Sequence, residues 1–204
     1  YLLHRFTRIM PAYWVVVVFV LVLLPNAAQS ANLRVWVSNL FLLQVFVPLT
    51  LTDGLTQMWS LSVEVAFYLV LPLLAWAMVR LRGTTARLRV PVLCAFMALS
   101  LTWNLWPVPT PDAIHADNWL PAYLPWFGAG MVLAELIHLV PPASRWGRVL
   151  SNQTLMWAIA LVAFLISATE YGGPAGLERA ESWQYAMKML LGMILGFGLM
   201  APLV

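Results

Sequence analysis

The sequence predicts an all-α membrane protein, a polytopic bundle of transmembrane helices with one re-entrant or interfacial segment on its outer side. Hydrophobic residues make up 62% of the 204 residues and charged residues only 9%, against about 25% charged residues in a typical soluble domain. Uncharged stretches near the length that crosses a bilayer, about 20 residues, recur along the chain. A disulfide-stapled scaffold is excluded because Cys94 is the only cysteine.

Basic clusters orient the predicted helices. They are Arg5 with Arg8, the run from Arg80 to Arg89, and Arg145 with Arg148. The positive-inside rule places all three clusters on the cytoplasmic side. Six crossings then follow, at about residues 8–25, 57–79, 90–107, 119–139, 152–171 and 184 to the end. This orientation also explains the isoelectric point near 9.4, so nucleic-acid binding is set aside.

The apolar stretch 35–52 does not fit as a seventh crossing. The helix before it leads the chain out and the helix after it leads the chain back in, so both ends of the stretch lie on the outer side. Its polar and turn residues are Ser38, Asn39, Gln44, Pro48 and the sequence Thr52-Asp53-Gly54. Irregular backbone at membrane depth is tolerated only where protein buries it. We therefore expect a re-entrant or interfacial segment that packs against protein and not against lipid.

The ends of the chain lead to a further expectation. The sequence opens at Tyr1 without a signal-peptide pattern and ends at Val204 inside an apolar run. We expect a single transmembrane domain over residues 1–204 that is an internal fragment of a longer polytopic protein, with helices missing at its N-terminal side.

Glu64 is the most informative residue for function. It lies about seven residues into its predicted helix, hence ~10 Å below the outer end. A carboxylate at such a depth costs on the order of 2.5 to 3.5 kcal/mol, so we expect it to face a polar cavity or partner. Ser60 and Tyr68, one turn before and after, share its face. This polar stripe of hydroxyl, carboxyl and phenol groups suits proton transfer. The alternative is an interfacial Glu64 whose side chain extends outward to the membrane surface, or a Glu64 kept neutral by a neighbouring side chain.

Other residues invite structural or ligand-binding interpretations. Arg5 and Arg8 are three residues apart, so they project from one side of the helix and could chelate a phosphate, unless they serve orientation alone. Glu135 and His138 are interpreted as a local pair. No His, Cys or Asp spacing resembles a metal site. Five glycines are interpreted as close helix-packing positions: Gly128, Gly130, Gly192, Gly196 and Gly198.

Two stretches resemble motifs of the membrane-bound acyltransferase-3 family. Residues 4–13, HRFTRIMPAY, fit its pattern R-x-x-R-I-x-P-x-Y, and residues 57–72, QMWSLSVEVAFYLVLP, fit W-S-L-x-V-E-x-x-F-Y-x-x-x-P. The family element S-x-x-x-x-F-Y falls on Ser62, Phe67 and Tyr68. The spacing and order of these motifs match over residues 1 to about 75, and the rest of the chain matches only in hydropathy.

The resemblance implies a multi-pass enzyme of the bacterial cytoplasmic membrane. Such an enzyme transfers an acyl group, commonly acetyl or succinyl, from acyl-CoA to a hydroxyl of an exported glycan or glycolipid. From the residue spacing, no metal cofactor is expected. Arg5 and Arg8 would bind the acyl-CoA. The catalytic histidine of the family lies eleven positions after an Arg on its first helix, and this sequence has no counterpart, so the fragment alone is expected to be inactive.

In that mechanism Glu64 would fix the tautomer of the missing histidine, while Tyr68 or Ser62 would donate to the oxyanion. The main alternative function is a transporter or flippase subunit in which Glu64 relays protons, but it predicts an inverted repeat and none is found. A non-catalytic membrane scaffold is the other alternative, and it leaves the polar stripe without a purpose.

Overall fold

The computed structural model describes residues 1–111, 114–174 and 180–204, and all regular structure in these ranges is helical, as predicted. The helices are α1 (Leu2–Leu23), α2 (Pro25–Ser30), α3 (Leu33–Leu40), α4 (Trp59–Arg80), α5 (Arg89–Leu101), α6 (Leu120–Leu139), α7 (Arg145–Leu150), α8 (Gln153–Ser167) and α9 (Ser182–Met200). Short 3-10 turns extend or connect several of them.

Within the described ranges, five helical segments are long and apolar enough to cross a membrane. They are Leu2–Leu23, Thr56–Arg80, Gly83–Leu105, Ala116–Leu139 and Ser182–Leu203, and they correspond to five of the six predicted crossings. Many of their large apolar side chains are exposed, Phe19 at 61% among them, as expected for helices that face lipid. The protein is therefore a multi-pass membrane protein.

The sixth predicted crossing, over residues 152–171, is shorter than expected. It forms α8, an apolar helix of 15 residues, whereas a crossing needs about 20. The Asn152 side chain caps the helix start by accepting from the Leu155 amide at 3.1 Å. Beyond Ser167 the chain turns, and Thr169 begins a 3-10 turn. These two local signals limit α8 to about 22 Å of length.

The chain divides into two compact units. The first comprises Tyr1–Trp76 and Val108–Leu120, and the second comprises Ala77–Pro107 and Pro121–Val204. The core of the first unit forms around one face of α1 and includes Met10, Tyr13, Val17, Leu21 and Leu55. Leu21 and Leu55 are 2% and 0% exposed, so this face of α1 packs against protein.

The segment 35–52, which was predicted to be re-entrant or interfacial, folds back within the first unit. As predicted, it is not among the helices long enough to cross a membrane. Asn39 is fully buried at 0% exposure, and its Nδ2 donates to the carbonyl oxygens of Val35 and Thr50, both at 2.9 Å. Tyr13 Oη on α1 donates to the Asn39 carbonyl at 2.5 Å. Protein carbonyls therefore accept from these donors, whereas Asn39 Oδ1 and Gln44 Oε1 are buried without a hydrogen-bond partner in the described ranges.

In the second unit, an ion pair replaces the expected pairing of Glu135 with His138. Arg89 Nη1 lies 3.3 Å from Glu135 Oε2, and both side chains are 22% exposed. The Glu135 carboxylate is thus held by a residue 46 positions away in sequence, a contact that local helix spacing does not predict. His138 is exposed on the same helix.

The glycine positions of the second unit fall into two groups. A Cβ on Gly198 would lie 2.8 Å from the Met156 carbonyl oxygen, and one on Gly192 would lie 2.8 Å from Trp126 Nε1. Gly128 is similarly close to a side chain. The packing prediction is therefore confirmed at these three positions. It is wrong at Gly130 and Gly196, where an added Cβ would meet nothing within 4 Å.

Candidate active site

The polar stripe on α4 contains a direct hydrogen bond. Tyr68 lies four residues after Glu64, so its phenol reaches back by one helical turn. Its hydroxyl donates to Glu64 Oε1. Both side chains are half-buried. The carboxyl is thus held by a phenol of its own helix, on the face that the sequence predicts.

Arg5 of α1 lies against the same phenol ring. Its Cζ is 5.0 Å from the centroid of the Tyr68 ring and 5.7 Å from that of Tyr1. The two rings meet edge to face, with centroids 6.3 Å apart and planes at 84°. These distances lie in the range of cation–π attraction. Tyr68 therefore contacts a guanidinium with its ring and a carboxyl with its hydroxyl.

This arrangement differs from the expected separation of the arginine pair and the carboxyl. Arg5 lies in the first turn of α1, whereas Tyr68 lies near the middle of α4. The two helices are therefore offset along their axes. At the other end of α1, Val20 and Leu24 pack around Gly54, where an added Cβ would lie 2.8 Å from Leu24 Cδ2. α1 therefore has close protein contacts near both of its ends.

Arg5 and Arg8 have different surroundings, although they are one turn apart. Arg5 is half-buried between aromatic rings, and Arg8 is exposed. Within the described ranges, Arg8 has no ion pair or hydrogen bond, and Arg5 makes no ion pair with Glu64. Both guanidiniums can therefore donate to a ligand, but they do not have to bind the same group.

Ser62 does not join Glu64 and Tyr68. It is 3% exposed, and its hydroxyl donates to the carbonyl of Met58 on its own helix at 3.4 Å. Two residues along a helix rotate a side chain by about 200°, so Ser62 faces away from Glu64. The structure thus does not place Ser62 where an oxyanion donor beside Tyr68 would be. Ser60 is exposed and also donates to its own helix turn, to Gln57 O at 2.9 Å.

Sequence reasoning did not single out Tyr1 and included Tyr13 only as the last residue of the first family motif, and both contribute to this region. Tyr1 supplies the second ring against Arg5, and Tyr13 connects α1 to the folded-back segment through Asn39. Gln44 Nε2 in that segment donates to the Met58 carbonyl at 3.2 Å. The phenol of Tyr13 in an apolar helix is the signal for this role, because a buried hydroxyl needs a partner.

A small cleft adjoins the Arg5 and Tyr68 side chains. Its volume is ≈ 120 Å³. Apart from Arg5 and Tyr68, its lining is apolar and includes Ile9 and Met10 of α1 and Val65 and Leu69 of α4. The cleft therefore offers an apolar volume next to a guanidinium and to a phenol that contacts a carboxyl.

In the part of the chain that the structure describes, potential metal ligands do not cluster and no histidine bonds to Glu64. There, no three His, Cys, Asp or Glu side chains could hold a metal ion together. His4, His115 and His138 are all exposed. No hydrogen bond joins any of them to Glu64 in the same ranges. The chemistry available at this site is that of a guanidinium, a phenol and a carboxyl.

Comparison of the sequence with known protein families matches residues 1–203 to the family described as an acyltransferase domain. The match extends well beyond the two motifs and covers nearly the whole chain. No curated protein and no solved structure matches.

Proposed function

This chain belongs to the acyltransferase-3 family of membrane proteins, and from that premise we propose that it transfers an acyl group from acyl-CoA to a hydroxyl of an exported glycan or glycolipid. The contact of Arg5 with the Tyr68–Glu64 pair is the observation that carries the proposal. It joins the two family motifs in one site. A site in the bacterial cytoplasmic membrane, with access to cytosolic acyl-CoA, belongs to the same proposal.

Arg5 and Arg8 bind the acyl-CoA in this proposal. Arg8 is exposed and has no partner in the described ranges, so its guanidinium is free to donate to a phosphate with a bidentate geometry. Arg5 lies against the ring of Tyr68, so it is close to the Tyr68–Glu64 pair. Because the pantetheine arm separates the phosphates of CoA from its thioester, Arg5 is better placed to donate to the thioester carbonyl oxygen.

The reaction exchanges one bond for another. The acceptor hydroxyl oxygen forms a bond to the thioester carbon, the carbon–sulfur bond breaks, and the hydroxyl proton ends on the sulfur of CoA. A sugar hydroxyl is a poor nucleophile at neutral pH, so a base must take its proton as the bond forms. The negative charge that develops on the carbonyl oxygen needs hydrogen-bond donors. In this proposal Arg5 supplies these donors, a role for which the sequence analysis named Tyr68 or Ser62.

Glu64 orients the base and stabilises the positive charge that the base acquires. The family resemblance assigns this base to a histidine that this sequence does not contain. Tyr68 holds one oxygen of Glu64 by its hydrogen bond, which leaves the second oxygen available to an imidazole N–H. This is the role of the third group in a catalytic triad. Tyr68 is thus a positioning residue for the carboxyl, and it also positions Arg5 with its ring.

The family match favours acyl transfer over the transporter or flippase alternative and over a non-catalytic scaffold. A direct experiment separates the three. Membrane vesicles that contain the full-length protein are incubated with [14C]acetyl-CoA, and the glycan and glycolipid fractions are counted. We expect label in a glycan or glycolipid, and less label with Glu64→Gln at equal protein level. Uptake without modification would favour transport, and neither label nor uptake would favour a scaffold; both results would contradict the proposal.

A further inference from the structure

We infer that the cleft beside Arg5 and Tyr68 is the acyl-chain subsite, and that it admits short, uncharged acyl groups only. This inference rests on the proposed function and adds to it the class of donor. It names Met10 and Val65 as the residues that limit chain length. The cleft combines three features that an acyl subsite needs, namely a polar group at the carbonyl position, an apolar lining, and a limited volume.

The polar groups lie on one part of the lining. The Arg5 guanidinium and the Tyr68 ring, 5.0 Å apart, both contribute to it. A thioester whose carbonyl oxygen accepts from Arg5 would place its acyl carbons toward the apolar remainder of the cleft. That orientation also leaves the thioester carbon near the Tyr68–Glu64 pair, where the acceptor hydroxyl must arrive.

The volume of the cleft matches a short acyl group. An engineered cavity of about 150 Å³ lined by Leu, Ile and Phe holds benzene, which has six carbon atoms. On that scale a cleft of ≈ 120 Å³ holds about five non-hydrogen atoms. A butyryl group has four carbons and one oxygen and fills this volume. Acetyl and propionyl fit with space left, whereas octanoyl exceeds it.

The lining also discriminates against charged acyl groups. A succinyl group has more non-hydrogen atoms than the cleft holds, and it would bring a second carboxylate into an apolar lining. Arg5 is the one cation in that lining, and in this proposal it already donates to the thioester carbonyl oxygen. A buried carboxylate without its own partner is costly, so succinyl-CoA should be a poor donor.

Met10 and Val65 face the cleft from opposite helices. Met10 is 7% exposed, and Val65 is half-buried. Met10→Ala should lengthen the cleft, because the flexible side chain leaves space when it is truncated. Val65→Phe should shorten it, because a ring is added where Val65 lines the volume. Leu73→Phe is a matched control, since Leu73 also lies on α4, is 66% exposed, and does not line the cleft.

The test measures kcat/KM for acetyl-, butyryl-, octanoyl- and succinyl-CoA with one acceptor in membranes containing the full-length protein. For the natural sequence we expect a loss of about tenfold or more for each methylene beyond butyryl. Met10→Ala should raise the octanoyl-to-acetyl ratio by at least about tenfold, and Val65→Phe should lower the butyryl-to-acetyl ratio by a similar factor. Leu73→Phe should leave both ratios unchanged.

Failure of this inference differs from failure of the proposed function. If acetyl-CoA labels the acceptor but both cleft variants keep the natural ratios, the acyl chain binds elsewhere and the inference is overturned while the function stands. Efficient use of octanoyl- or succinyl-CoA by the natural sequence would overturn it as well. If no acyl-CoA labels any acceptor, the proposed function fails and the subsite fails with it. Because the readout is a ratio, a variant that folds poorly still gives a valid answer.

Discussion

The guanidinium carbon of Arg5 lies 5.0 Å from the centre of the Tyr68 ring, while the hydroxyl of that ring donates to Glu64. One phenol thus connects a cation on α1 with a carboxyl on α4. Without Tyr68, Glu64 would have no described partner, and Arg5 would keep only the Tyr1 ring, at 5.7 Å. Because isolated charges are costly in a membrane protein, we expect the three side chains to depend on one another in both stability and activity.

Glu64→Gln should reduce acceptor acylation by about 100-fold to 10,000-fold. The amide keeps the size of the carboxyl but cannot stabilise a positively charged base. Turnover is measured in membranes with the full-length protein, normalised to its amount. Ser60→Ala is the control, because Ser60 is exposed on the same helix and bonds only to its own turn in the described ranges. Full turnover by Glu64→Gln would remove this carboxyl from the mechanism.

Tyr68→Phe should reduce kcat by a smaller factor, about tenfold, with little change in the KM for acyl-CoA. The phenylalanine ring keeps the contact with Arg5 but loses the hydrogen bond to Glu64. Tyr68→Leu removes both interactions, so it should also raise the KM for acyl-CoA. The two variants are compared by initial rates over a range of donor concentrations. Identical kinetics for Phe and Leu would show that the ring contact with Arg5 has no part in donor binding.

Arg8→Ala should raise the KM for acyl-CoA and leave kcat nearly unchanged, because a phosphate contact is the same in the ground state and the transition state. Arg5→Ala should lower kcat as well, since its donors face the developing oxyanion, by about 100-fold. Neither variant should alter the KM for the acceptor. If both only reduce membrane insertion, measured as protein amount and protease accessibility, the arginines serve orientation by the positive-inside rule.

Helical periodicity was sufficient to predict the pairing of Glu64 with Tyr68, because residues four apart on a helix share a face. It could not predict that Arg5 reaches the same phenol. That contact depends on the offset between α1 and α4. The chain between them also approaches α1 closely at Gly54, where φ is +83°. Positive φ at Leu42 and Leu49, 60° and 58°, also shapes the folded-back segment. Such backbone geometry is set by tertiary packing and leaves little trace in residue type.

Ser62 shows the opposite case, in which the family motif and helical periodicity point in different directions. The family element contains this serine, but two positions of helix rotate it away from Glu64, and its hydroxyl bonds to Met58 O.

The length of α8 was overestimated for another reason. The uncharged stretch continues past Ser167 for two residues, Ala168 and Thr169, whereas the helix ends at Ser167 and Thr169 begins a turn. Apolar composition thus locates a helix more reliably than it determines where the helix ends.

Asn39→Asp should destabilise the first unit more than Asn39→Leu does. Leucine removes two donated hydrogen bonds and leaves the Thr50 carbonyl with only the Thr52 hydroxyl, at 3.3 Å, at a cost of about 1–3 kcal/mol. Aspartate places a carboxylate oxygen against the same two carbonyl oxygens of Val35 and Thr50, now 2.9 Å from Asn39 Nδ2, so repulsion adds to the loss. The midpoint of thermal unfolding in detergent gives the order, and equal midpoints for Asp and Leu would contradict it.

Gly198→Ala and Gly196→Ala should change stability in opposite directions, although both lie on α9. At position 198 the new Cβ would lie 2.8 Å from the backbone oxygen of Met156, so α8 and α9 must separate, at about 1–3 kcal/mol. At position 196 the Cβ meets nothing within 4 Å, and alanine then stabilises the helix by up to about 1 kcal/mol. Thermal unfolding in detergent measures both variants. A loss of stability at position 196 as large as that at 198 would show that helix packing is not what separates the two glycines.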